Sequence, residues 1–345
     1  MKIAFLSAGK FVPSSRFRLP FYRLLAERGH QCSILASFPE KYDYFPWLGW
    51  RPSQFLKRCV RRWHLQRIRF GHYDVVVLDR GLFHTADYRL EKELRRVAKR
   101  LVLEIDDAVF LPFPDKTAAL ADMADHVIAG NQLLAEWLRP HNLNLSIIPT
   151  CVDADVYTQR PDQTGNPPVV GWIGSAGNVI MLKVCAPALR RLASETRFIL
   201  RVISGVGHQL AEIDLSGVDV QWIDYHRCSE IQELHNMDIG IMPLPEGDPW
   251  MPYKCNAKMI QYLTVGLPTV ASALGFNFEL VRPGENGFLA TDQDQWYEHL
   301  SQLLASPSLR QQIGISARQS MLSSFTAQSR VQQFEAILQE VADAT

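Results

Sequence analysis

Residues 253–262 read Tyr253-Lys254-Cys255-Asn256-Ala257-Lys258-Met259-Ile260-Gln261-Tyr262, and two lysines in this run flank the start of a helical pattern. Free backbone N–H groups and the positive end of the helix dipole converge at such a start, so an anion is stabilised there. Lys254 and Lys258 suit a diphosphate, and each charge-assisted hydrogen bond contributes roughly 1.5–3 kcal/mol. Gln261 and Tyr262 lie one turn further along, within reach of a ribose. The same residues also fit an ordinary helix with solvated lysines and Asn256 as its cap. A second cluster begins at Gly9, where the missing side chain admits close approach of a phosphate or sugar. It continues to Arg16 and Arg18 at the start of the next helix, which suit an anionic group or a solvated first turn capped by Ser15. Glu104, Asp106 and Asp107 close a strand; carboxylates that near repel one another and call for a partner such as Arg80 or Arg16.

Holding these groups in place requires strands that end where helices begin. In the first half the strand-like runs are 2–7, 31–36, 74–79, 101–105, 126–129 and 145–149, with helical patterns at 15–28, 88–100 and 131–139. Val75-Val76-Val77-Leu78 is apolar without a break, which marks a strand buried on both faces. The alternation predicts an α/β fold with parallel sheets covered by helices. Turn formers crowd residues 160–168 and predict a boundary there. The expected domains are 1–165 and 166–324, with a terminal helix at about 325–345 packing back on the first. The second alternation places strands at 169–173, 198–203, 218–223, 239–242, 268–271 and 287–290, and helices at 178–193, 229–235, 256–265 and 293–304. Ser306 as N-cap and Pro307 at the first helical position open the terminal helical stretch. Two doubly wound, Rossmann-like domains would present the carboxyl ends of their strands, where such sheets bind ligands, to an interdomain cleft.

The 345 residues exceed one ordinary core, which stops growing at roughly 250–300. A charged fraction of 21% with 10% aromatics excludes a disordered or fibrous chain. Basic and acidic residues balance at 36 each, yet residues 1–165 carry 24 basic and 18 acidic side chains (+6) and the remainder 12 and 18 (−6). Much of the basic excess lies in 51–69, where Arg51, Lys57, Arg58, Arg61, Arg62, Arg67 and Arg69 interleave with aromatic and aliphatic side chains and no acid. A basic amphipathic helix of this kind suits an anionic membrane surface, or simply packs its apolar face on a sheet. No nucleic-acid recognition motif accompanies it. Six cysteines without a CxxC pair read as reduced cytosolic thiols, and ten scattered histidines give no metal motif, so neither metal nor cofactor is expected. The N-terminal apolar run is too short for a signal peptide, and no stretch nears the roughly 20 apolar residues of a membrane span. These features predict a cytoplasmic protein, peripheral at the inner face of the membrane.

From Pro243 to Glu279 the sequence resembles the family 4 retaining glycosyltransferases of GT-B fold, closest to a branch reading PL-D-x-W, KC-x-x-K-x-x-QY and G-x-P-x-V-x-S. Ser14-Ser15-Arg16-Phe17-Arg18, Asp106-Asp107-Ala108, Gly130-Asn131, Ile148-Pro149-Thr150-Cys151-Val152-Asp153 and Gly171-Trp172-Ile173-Gly174-Ser175 match that branch in order across nearly the whole chain. The resemblance implies transfer of a sugar from a nucleotide-diphosphate sugar to a glycan or lipid-linked acceptor, in the hexosyltransferase class. Asp106 and Asp107 would then bind sugar hydroxyls or help take the acceptor proton. Lys254 and Lys258 would offset charge on the leaving diphosphate, with backbone amides near Gly174-Ser175 and Gly275-Phe276-Asn277 assisting. Tyr225 or His226 would stack on the base. Tyr253 and Gln261 stand where the family has its Glu-x7-Glu carboxylates; Gln261 can still bond a ribose hydroxyl. Ser175 lies near the family's phosphate-binding Arg, and Lys183 further on than its Lys. A non-catalytic sugar-nucleotide-binding protein, or a GT-B epimerase or phosphorylase, is the alternative.

Overall fold

In a computed structural model, which describes residues 1–10, 12–161 and 166–344, the chain divides into two units. The first comprises Met1–Cys151, Tyr253–Cys255 and Ala327–Thr345, and the second Val152–Pro252 and Asn256–Thr326.

The first unit runs β1 (Lys2–Leu6), α1 (Pro13–Glu27), β2 (Gln31–Ile34), α2 (Trp50–Gly71), β3 (Val75–Asp79), α3 (Arg89–Val97), β4 (Leu101–Ile105), α4 (Pro114–Met123), β5 (His126–Ala129), α5 (Gln132–Leu138) and β6 (Leu145–Ile147). All pairs are parallel and the order is β2-β1-β3-β4-β5-β6, so the strand order reverses between β1 and β3. Every residue of β3, β4 and β5 is buried, as expected for strands covered on both faces.

The second unit contains β7 (Val169–Ile173), α6 (Ala186–Ala193), β8 (Ile199–Ser204), β9 (Asp219–Asp224), α7 (Glu230–His235), β10 (Ile239–Met242), α8 (Ala257–Thr264), β11 (Thr269–Ser272), α9 (Asn277–Leu280), β12 (Phe288–Ala290), α10 (Gln293–Ala305) and α11 (Pro307–Ser324). Its parallel sheet has the order β12-β11-β10-β7-β8-β9, reversing between β7 and β10. The last helix, α12 (Ala327–Asp343), belongs to the first unit, where Phe334 lies 5.0 Å from Phe21 between ring centroids. Burying Phe334 completely contributes about 1.5–3 kcal/mol.

Two expectations change. The division falls at Cys151–Val152 and not in 160–168, because Val152 N–H donates to the Phe325 carbonyl (3.1 Å) and Arg160 N–H to that of Val265 (2.9 Å). These bonds tie 152–160 into the second unit; residues 162–165 of the turn-rich stretch lie outside those described. The helix expected over 178–193 is a 3-10 turn, Ala176–Val184, followed by α6, since Pro187 has no N–H to continue one helix. The terminal helical stretch is two helices, α11 and α12, which part at Phe325, where the last helix was expected to begin. Ser306 caps α11 as expected, accepting from Leu309 N–H at 3.2 Å.

Candidate functional site

In the first unit the chemistry gathers at the carboxyl ends of β1, β3, β4 and β5. Asp79 ends β3 and accepts from Ser14 Oγ and Ser15 Oγ (3.1 Å each) and from Ala8 N–H (3.3 Å), which fixes the start of α1 against the sheet. Arg18 is buried; it donates to the carbonyls of Ile148 and Pro149 and pairs with Glu104 at 3.2 Å. Arg18 is therefore an internal strut. Burial raises the Glu104 pKa to about 7 against the pull of Arg18. Arg80, in left-handed backbone at φ 57°, turns back over β4: its Nε bonds Asp106, and a terminal nitrogen lies 3.5 Å from Asp107. Burial disfavours the charged Asp106, but Arg80 outweighs it and the pKa falls below the usual carboxylate range. An acid held that low is a weak proton acceptor and a good partner for hydroxyl groups. Arg16 is half-buried, with its guanidinium 4.9 Å from the Phe17 ring. At Gly9 a Cβ would lie 2.8 Å from the Glu40 side chain, so a side chain already closes one approach to this backbone.

Tyr253–Cys255 forms a strap on this same unit. Asn131 caps α5 through its side-chain oxygen and spends its amide on the Tyr253 carbonyl (2.9 Å) and Cys255 Sγ (3.4 Å). The Tyr253 ring sits edge-on to Phe110 at 4.9 Å. Burial first, then Asp106 and Asp107, push the Cys255 thiol well above its ordinary pKa. Lys254 is carried on this strap, in a different unit from Lys258.

Two charges of the basic helix α2 point inward, contrary to a wholly solvated basic face. Lys57 Nζ donates to the carbonyls of Lys41 (2.9 Å) and Asp43 (3.0 Å), and Arg61 to those of Leu35 (3.1 Å) and Ser7 (2.7 Å). The Leu35 and Ser7 carbonyls already accept from Ser7 N–H and Ser37 N–H, and Arg61 adds a second donor to each, while Lys57 serves two loop carbonyls after β2. Arg51, Arg58, Arg62, Arg67 and Arg69 remain exposed beside Trp50, Phe55, Trp63 and Phe70. Among the described residues no helix is long and apolar enough to cross a membrane.

Lys41, in the same loop, is buried, and burial lowers its pKa to about 7; Asp79 opposes this while Arg80, Lys116 and Arg61 add to it. Its folded pKa lies below the unfolded 10.5, so the penalty is complete below about 7 and fades as pH rises to 10.5. Lys41→Met is expected to raise the melting temperature by a few degrees at pH 6 and to lose that gain by pH 10. Scanning calorimetry across pH checks it; a gain independent of pH contradicts the buried charge.

In the second unit the reversal of strand order lies between β7 and β10, and the Gly174-Ser175 turn leaves β7 there. Lys258, near the start of α8, places its ammonium 4.6 Å from the Trp172 ring centre, beside Gly174, where a Cβ would lie 2.5 Å from both groups. Gly174 N–H donates to the Ile203 carbonyl (3.0 Å) and Asn277 N–H to that of Leu274 (3.2 Å), so these two amides are already used. Ser175 is exposed at the head of the 3-10 turn. Several of the expected residues make contacts within the unit. Tyr262 is fully buried, its hydroxyl accepting Ile173 N–H at 2.7 Å, which fastens α8 to β7. Asn277 is also buried and links Asn256 (2.8 Å) to the Ser272 carbonyl (2.9 Å). Asn256 adopts left-handed backbone at φ 42° and does not cap α8. Gly275, at φ 55°, passes so close to Pro252 that a Cβ would lie 2.5 Å from its carbonyl oxygen. Gln261 and Tyr225 meet on Glu230, which the sequence did not single out: Gln261 Nε2 donates to Glu230 Oε1 (2.6 Å) and Tyr225 to Oε2 (3.0 Å). Trp222 in β9, partly exposed and bonded to Ser204 Oγ at 3.1 Å, is a second aromatic near the Tyr225–Arg227 turn that follows this strand. Among the described residues no group of three or more His, Cys, Asp or Glu is arranged to hold a metal ion.

Residues 167–306 match the family described as glycosyl transferases group 1. No curated protein matches the chain. Among solved structures, the sucrose-phosphate synthase of Thermosynechococcus elongatus superposes with a TM-score of 0.73 at 14% identity, covering 100% of both chains. HepE of Anabaena in complex with UDP-glucose gives 0.71 at 16%, covering 99% of this chain and 100% of its own. A glycosyltransferase from Rickettsia africae gives 0.73 at 13%, covering 100% and 99%. The chain has the GT-B fold, and its second unit carries a segment similar to the group 1 glycosyl transferases.

Proposed function

We propose that this chain is a retaining glycosyltransferase that moves a hexosyl group from a nucleotide-diphosphate sugar to a glycan or lipid-linked acceptor in cell-surface polysaccharide or glycolipid synthesis. The observation that carries the reading is the Lys258 ammonium held over Trp172 beside Gly174, at the reversal of strand order and inside the segment that matches group 1. Doubly wound sheets bind nucleotides at that point. The UDP-glucose in HepE supports a nucleotide-sugar donor.

In the proposed reaction an acceptor hydroxyl oxygen bonds to the anomeric carbon on the face from which the diphosphate departs. The bond from that carbon to the diphosphate breaks, and the acceptor proton passes to a diphosphate oxygen. Negative charge grows on the leaving group, and fixed cations lower the barrier most when they are already in place. Lys258, held by Trp172, is such a cation, and Lys254 on its strap is a second. Asp106 and Asp107 hydrogen-bond sugar hydroxyls, fixed by Arg80. With lysines and a helix start to neutralise the diphosphate, the reaction is proposed to need no metal. A thermal-shift screen against free nucleoside diphosphates tests the reading: at least one is expected to raise the melting temperature. No shift with any of them at millimolar concentration would refute it.

We further propose that the exposed arginines and aromatics of α2 dock on an anionic membrane surface, each basic residue near it contributing about 1 kcal/mol. Flotation with phosphatidylglycerol vesicles is expected to recover the protein, and far less with neutral vesicles or in high salt. Equal recovery from neutral vesicles would contradict the docking.

A further inference from the structure

The cluster around Gln261 has no part yet in the proposed reaction. Gln261 is nearly fully buried, and its amide spends both hydrogens inside the unit, on Tyr157 Oη (2.7 Å) and Glu230 Oε1 (2.6 Å). Tyr157 donates to the same Glu230 oxygen at 2.5 Å, and Tyr225 donates to the other at 3.0 Å. A flipped amide would set its carbonyl oxygen against the Glu230 carboxylate, two acceptors in contact, so the orientation is fixed. What the Gln261 side chain has left to offer is its carbonyl oxygen, an acceptor.

Lys258 and Gln261 stand three residues apart on α8 and share a face. Along that face a cation is followed by an acceptor. The Glu230 carboxylate then leads, through Tyr225, to the turn after β9, three residues beyond the partly exposed Trp222 of that strand. A ligand matching that sequence has a negative group, then a hydroxyl donor, then a flat ring: the diphosphate, ribose and base of a nucleotide.

We propose that Glu230 is a positioning residue that locks Gln261 as an acceptor-only group for a ribose hydroxyl of the donor; this rests on the nucleotide-sugar reading above. The carboxylate does its work from α7, one hydrogen bond behind the amide that meets the ligand.

The test is isothermal titration of the full chain with UDP, GDP and ADP and with their 2′,3′-dideoxy counterparts. The intact protein is expected to prefer a ribonucleotide over its dideoxy form by about tenfold. Glu230→Ala should bring that ratio close to one while the diphosphate still binds. Gln261→Glu sets two carboxylates together and should also lose the preference. Exchanging the pair, Glu230→Gln with Gln261→Glu, restores one amide and one carboxylate and should recover it. A structural role alone would move the melting temperature but neither the ratio nor its recovery. An unchanged ratio in Glu230→Ala, or an exchanged pair no better than Gln261→Glu, would overturn the assignment. Absence of any nucleoside diphosphate binding by the intact protein would instead overturn the donor reading, and this inference with it.

Discussion

Replacing Lys258 by Ala is expected to lower glycosyl transfer by about a hundredfold or more, with a smaller loss of affinity for the intact donor. The asymmetry follows from where charge develops: the diphosphate is more negative as it leaves than while bonded to the sugar, so a fixed cation counts for more in the transition state. A single preorganised donor of this kind is worth roughly 3–4 kcal/mol. Lys258 is preorganised by its place over Trp172 and by the space that Gly174 leaves. Lys258→Arg keeps the charge but brings a planar fork into that space, and should recover only part of the activity. Steady-state kinetics with nucleoside diphosphate release as the readout checks this; unchanged turnover in Lys258→Ala would remove the lysine from the mechanism.

Gly130→Ala is the second large effect. A Cβ at 130 would overlap the Cys255 sulfur and lie 3.0 Å from the Asp106 Cα, so the strap and the end of β4 cannot both stay where they are. Overpacking of this kind costs about 1–3 kcal/mol. The displaced groups are those assigned to the reaction: Lys254 rides on the strap, and Asp106 is held by Arg80. Transfer should fall at least tenfold and the melting temperature by several degrees. Adding Cys255→Ala removes the sulfur and should recover most of the stability, which thermal melts would read. A double variant no more stable than Gly130→Ala would contradict the packing account.

Periodicity found the central strands best because runs such as those of β3 and β4 are almost unbroken in apolar residues; β4, β5, β7 and β10 fall where the sequence places them. It singled out Lys258 because a lysine at a helix start is a local signal. It missed Glu230 because the partner of Gln261 comes from α7, 31 positions earlier by residue number, and only the sheet order brings the two helices together. Counting charges in α2 could not tell inward from outward: Lys57 and Arg61 sit one turn apart on the buried face, donating to carbonyls of the segments that follow β1 and β2. Tyr253–Cys255 was read as part of the second domain because three residues crossing between units leave no periodic trace. Tyr262 was placed within reach of a ribose by its position on the helix, whereas its hydroxyl accepts from Ile173 N–H and fastens α8 to β7.

The most direct measurement is transfer itself: the intact chain incubated with radiolabelled UDP-, GDP- and TDP-sugars and a lipid and glycan extract. The account predicts that one sugar appears in an acceptor product with its anomeric configuration retained, and that Lys258→Ala lowers the yield of that product by about a hundredfold or more. Binding of a nucleotide sugar without transfer or hydrolysis across the whole panel would contradict it and leave a sugar-nucleotide-binding protein on the same fold.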